Sequence, residues 1–221
     1  MKTRVVSVVL AVMVAAGAAA ATAGPVSVGI KGGIMASNVT GIPEEWGDAQ
    51  DYRTSFTGGA FLNFALDEMF SLQPELLYVP KGFTGNLYDG FIDVDASPQF
   101  DFVEVPVLVK CTFPGARLRP CIFAGPSIGF ATASELKISA GWLATKIDIS
   151  SVTKDTDFGI VAGAGIDYVM SRGVFTLEGR YQRGFSNIIE DFEFDVDGSP
   201  QTVTVDEFKH YGFSFMMGYR F

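Results

Sequence analysis

The sequence holds one histidine, His210, and two cysteines, Cys111 and Cys121. One histidine excludes a His-rich metal centre. Two cysteines are too few for a disulfide scaffold. Basic residues are also scarce, 16 against 25 acidic ones, so the chain lacks the positive footprint of a sequence-independent nucleic-acid binder. Charge of either sign makes up only 19%, while 48% of the residues are apolar, which excludes a disordered chain. Beyond the N-terminus no uncharged run reaches the 18 residues of a transmembrane helix.

What is present begins with an address. Met1-Lys2-Thr3-Arg4 is a short basic start, Val5–Ala20 is an uncharged run, and Ala21-Thr22-Ala23 supplies the small residues of a cleavage site. This pattern predicts a signal peptide over residues 1–23, cut before Gly24, and a single domain over 24–221. An uncleaved N-terminal anchor is the rival reading.

The rest alternates. His210–Phe221 has period 2, with Tyr211, Phe213, Phe215, Met217, Tyr219 and Phe221 on one face and Gly212, Ser214, Gly218 and Arg220 on the other. So large an apolar face exceeds what a small soluble core needs; a lipid-facing wall accounts for it. Seven further segments read as strands, near 26–36, 55–66, 70–82, 99–112, 119–132, 156–169 and 173–185. Asp67–Met69, Pro114–Arg119 and Met170–Gly173 are short connections. Ser37–Thr54, Phe83–Pro98, Ala133–Asp155 and Ser186–Asp206 are long and acidic. Long loops interleaved with short turns predict an all-β, eight-stranded antiparallel up-and-down transmembrane barrel with both termini on the short-turn side. Glu135–Ser139 with Thr145–Ile149, and Asp191–Val196 with Thr202–Val205 around Asp197–Pro200, predict hairpins that continue the barrel as a protruding sheet.

Two strands carry a family resemblance. Phe70–Tyr78 with Lys81-Gly82, and Val103–Lys110, resemble the third and fourth strands of the PorT-type outer-membrane β-barrel domain family, of eight-stranded, OmpX/OmpA-like architecture. The Gly-rich first strand (Gly29, Lys31, Gly32, Gly33) and Pro120–Gly129 are similar to its flanking strands; Val79-Pro80 departs from the pattern, where a polar pair is more usual. The resemblance implies a barrel in a Gram-negative outer membrane and little about activity.

Alternation turns Lys31, Glu75, Glu104, Glu178 and Arg180 into the lumen at mid-height, with Gln73 near and Lys110, Asp167 and Arg220 closer to the short turns. Charges in a narrow lumen must pair, so this set predicts a structural plug rather than an open pore. His210 faces inward, but Ser214 lies four residues along, about 13 Å away at about 3.3 Å per residue, too far for a nucleophile and its base. No catalytic, cofactor or metal residue is assigned. Glu193–Gly198 has the spacing of calcium ligands but reads better as strand, since the twelfth position is Thr204 rather than Glu. Cys111 and Cys121 lie symmetrically about Ala116 and are candidates for a cross-strand disulfide. Trp46 and Trp142 fall in long loops, as rim packing or a contact surface.

These features predict a monomeric, non-enzymatic outer-membrane barrel acting through membrane integrity or contacts of its cell-surface loops. Its expected partners are outer-membrane lipid and lipopolysaccharide, an unidentified loop partner, and the barrel-assembly machinery, which would read Phe215, Met217, Tyr219 and Phe221; no nucleic-acid partner is expected. The alternatives are a lipocalin-like periplasmic barrel binding a small apolar ligand, with apolar residues inside, and an outer-membrane lipid-modifying enzyme using His210.

Overall fold

The computed structural model describes residues 26–40, 50–88, 93–140, 143–148, 154–187, 192–196, 199–203 and 209–221. The expected signal peptide, Trp46 and Trp142 lie outside them. The described secondary structure is all β. Eight strands close a ring: β1 (Val26–Thr40), β2 (Gln50–Ala65), β3 (Phe70–Tyr88), β4 (Asp93–Thr112), β5 (Leu118–Ala140), β7 (Thr156–Met170), β8 (Gly173–Gly184) and β11 (Lys209–Arg220). All pairings are antiparallel, and β11 returns to β1, which leaves the barrel wall without a free edge.

Period-2 alternation explains the wall. Along β11, Phe213, Phe215 and Met217 are exposed, whereas His210, Gly212, Ser214 and Met216 are buried. Val28 and Ile30 of β1, and Ile160 and Ile166 of β7, are likewise exposed on the outside. Aromatic pairs mark both ends of this apolar face: Tyr52 meets Tyr211 edge-on at 6.0 Å, and Tyr219 meets Phe221 at 5.0 Å. From Tyr211 to Phe221 the strand is about 33 Å long at about 3.3 Å per residue. At a tilt of about 40° this projects to about 25 Å, the height of the apolar band of an outer-membrane barrel.

Short turns join β2 to β3, β4 to β5 and β7 to β8, and the barrel's first and last residues lie at that same end, where Phe221 N donates to Val28 O at 2.9 Å. At the other end the strands run far into the expected loops. β3 and β4 pair up to Tyr88 and Asp93, and β4 follows β5 to the pair Val94–Ala140. The upper part of β5 also pairs with β6 (Leu143–Asp148), giving the protruding sheet. The second expected hairpin differs. β9 (Phe192–Val196) and β10 (Ser199–Val203) form a separate two-stranded sheet rather than continuing barrel strands. Ser199 and Pro200, expected in the turn, already pair with Val196 and Asp195.

Gly82 has φ of +138°, and a Cβ there would lie 2.2 Å from Pro98 O. Only glycine fits. At Gly82 β3 stays paired with β4, opposite Gln99, and Ser37 Oγ donates to Gly82 O at 3.0 Å.

Candidate functional site: the charged lumen

Inward positions of all eight barrel strands fill the lumen in layers. Nearest the short turns, Arg220 Nη1 donates to Asn63 Oδ1 at 2.8 Å, and Lys110 Nζ pairs with Asp167 Oδ1 at 2.8 Å. Just above, Arg180 holds Glu75 through two parallel bonds, Nη1–Oε2 at 2.6 Å and Nη2–Oε1 at 2.8 Å, and reaches Glu178 Oε2 at 2.5 Å. Lys31 Nζ bridges the same two carboxylates at 2.8 and 2.9 Å, and Gln73 Nε2 donates to Glu75 Oε1 at 2.7 Å. The cations also face aromatic rings: Lys31 Nζ lies 4.4 Å from the centre of Phe61, and Arg180 Cζ lies 5.1 Å from that of Phe123.

A mostly apolar layer follows, into which Gln182 also reaches, its Nε2 donating to Met35 Sδ at 3.8 Å. Leu77 and Val79 come after Glu75 on β3 and pack with Met35 and Met216; Leu108, Phe123 and Val161 form a second group. Beyond it, towards the loops, lies another charged cluster. Lys81 Nζ pairs with Glu104 Oε1 and with Asp157 Oδ2 at 2.7 Å, and His210 Nδ1 lies 3.0 Å from Asp157 Oδ2. Lys81 Nζ is 4.4 Å from the centre of Phe102.

Four of the five expected lumen charges, Lys31, Glu75, Glu178 and Arg180, are therefore in one network. Glu104 is not. The register of β3 against β4 sets it opposite Leu77, one inward position above Glu75, and it pairs with Lys81 instead. Lys81 and Asp157 are lumen charges beyond the five that alternation places at mid-height. The sequence signal for Lys81 is that it continues the inward series Glu75, Leu77, Val79 on β3.

Cys111 and Cys121 are both free. The register pairs Cys121 with Thr112, and Cys111 with Ile122. A one-residue offset turns the two side chains to opposite faces: Cys121 is buried inside and Cys111 is on the wall. The expected disulfide is therefore corrected to two separate thiols. Phe215, Met217 and Phe221 are exposed along the outside of β11, and Tyr219 Oη donates to Arg172 O at 3.1 Å. In the calcium-spaced segment, residues 193–196 lie within β9, and Asp197-Gly198 falls outside the described residues.

The interior is charged and the exterior apolar, the reverse of a lipocalin. The fold is similar to solved outer-membrane barrels. Neisserial surface protein A is 10% identical, with 90% of this chain and 99% of that chain covered and a TM-score of 0.45. The outer membrane protein OprG of Pseudomonas aeruginosa is 11% identical, with 88% and 95% covered and a TM-score of 0.47. Escherichia coli outer membrane protein W is 16% identical, with 88% and 97% covered and a TM-score of 0.37. No curated protein sequence matches. The family model described as "Outer membrane protein beta-barrel domain" matches residues 18–190. The chain belongs to this family of Gram-negative outer-membrane barrels.

Proposed function

We propose that this chain is a sealed, non-enzymatic barrel that supports outer-membrane integrity and presents its long loops at the cell surface. The layered lumen carries this reading. Two charged clusters lie at different heights with buried apolar side chains between them. An ion crossing such an interior would have to shed its hydration in a layer where, among the described residues, Gln182 is the one long polar side chain between packed apolar ones. Both termini face the periplasm in this reading, with residues 1–23 removed before Gly24. The exposed row of Phe215, Met217 and Phe221 is the surface offered to the assembly machinery, and afterwards to lipid and lipopolysaccharide around a monomer. The two motif strands support the finer PorT-type assignment. A lipid-modifying role is disfavoured because His210 is only 3% exposed and sits against Asp157, out of reach of a membrane lipid.

Conductance of the purified barrel in planar bilayers tests the seal. The expected result is no stepwise current from the wild type, and none from Arg180→Ala despite its lower stability. Reproducible single-channel steps from the folded wild type would overturn the seal.

A further inference from the structure

The two charged clusters differ in their charge count. The turn-end network sets Lys31, Lys110 and Arg180 against Glu75, Asp167 and Glu178, three against three. The loop-end cluster sets Lys81 against Glu104 and Asp157, beside His210. With a neutral imidazole it carries one uncompensated negative charge among side chains no more than 3% exposed. Within this cluster Asp157 Oδ1 is buried without a hydrogen-bond partner, while His210 Nδ1 stands 3.0 Å from Asp157 Oδ2. Buried polar atoms are nearly always paired, so a carboxylate oxygen left over beside an excess negative charge is available to a further cation.

Glu104, Asp157 and His210 each offer one ligand atom, and these atoms lie within 4.8 Å of one another. One imidazole nitrogen with two carboxylate oxygens is a donor set that suits zinc. Ligand atoms around tetrahedral zinc stand about 3.3 Å apart, so binding draws the three side chains inward. We propose that Glu104, Asp157 and His210 form a binding site for a divalent transition-metal ion of the zinc class, with the Lys81 ammonium as its competitor. The ligands come from β4, β7 and β11, and Lys81 from β3, so the choice of cation bears on four strands at the loop end. The apolar layer on the turn side places entry from the loops.

The test uses the full chain folded in detergent micelles, stripped with chelator and titrated with Zn2+ and with Co2+. Heat-dependent gel mobility establishes that each variant is folded. One equivalent is expected to bind the wild type. His210→Ala weakens binding on the order of tenfold or more; Glu104→Gln carries the same expectation should the first variant not fold. Lys81→Met tightens binding on the order of tenfold, because a competing charge is gone. It also raises the temperature at which that variant unfolds when Zn2+, but not Mg2+, is added. No saturable binding by either wild type or Lys81→Met overturns the site. So does undiminished binding by His210→Ala, which places the ion on the acidic loops, or equal stabilisation by Mg2+.

Discussion

Arg180 and Glu75, 105 residues apart in sequence, meet fork to fork inside the barrel at 2.6 and 2.8 Å. The same Glu75 Oε1 accepts from Lys31 Nζ, so the pair ties together β1, β3 and β8. A bidentate pair of this kind fixes geometry as well as charge.

Breaking it strands a buried charge. Arg180→Met should lower unfolding stability by about 3–5 kcal/mol, read as the urea midpoint of the heat-sensitive gel band. Arg180→Met combined with Glu75→Gln should recover part of the loss, since the unpaired carboxylate is then gone. Equal losses in the single and double variants would show that charge pairing is not what holds this layer.

The outer face makes a different demand. Phe215 is half exposed near the middle of the apolar row on β11. In lipid, Phe215→Arg should be destabilised by about 2–4 kcal/mol. The measurement is refolding into lipid vesicles across a urea series. An arginine tolerated at this position would mean that the face does not meet lipid.

Two glycines separate strand contact from wall contact. A Cβ on Gly33 would lie 2.0 Å from Phe215 O and 2.7 Å from Met216 Cα, both backbone atoms of the neighbouring strand. A Cβ on Gly179 would meet nothing nearer than 4.0 Å. Gly33→Val is therefore expected to lose the compact gel band. Gly179→Val should keep it, with stability within about 1 kcal/mol.

Asp67 sits in the first short turn, where its Oδ1 accepts from the backbone N–H groups of Met69 and Phe70, each at 2.7 Å. These amides hold its carboxyl below the usual aspartate range. A lowered folded pKa stabilises above the unfolded value, and the gain disappears as pH falls through the folded value. Asp67→Ala should therefore unfold earlier than wild type at pH 7, and the two midpoints should converge under acid. A difference that persists undiminished below pH 2 would assign the turn's stability to something other than the carboxylate.

The wall was legible because alternation is a local signal. Phe213-Ser214-Phe215 states its facing within three residues, and the strand centres followed. Their ends did not. β3 runs to Tyr88 and β5 to Ala140 because each continues to find a neighbour, and pairing between distant segments is not written in either segment alone. The lumen shows the same limit. Facing identified Lys31, Glu75, Glu178 and Arg180, but the height of Glu104 depends on the register of β3 against β4, which joined it to Lys81. A register offset of one residue likewise parted Cys111 from Cys121, though their positions about the turn looked symmetric.

The most direct measurement is the gel mobility of the outer-membrane fraction, run with and without boiling. A barrel closed in lipid should appear in that fraction and change mobility on boiling, because the closed hydrogen-bonded wall resists detergent until heated. A soluble periplasmic protein with one mobility under both conditions would contradict the facing of the barrel and the function built on it.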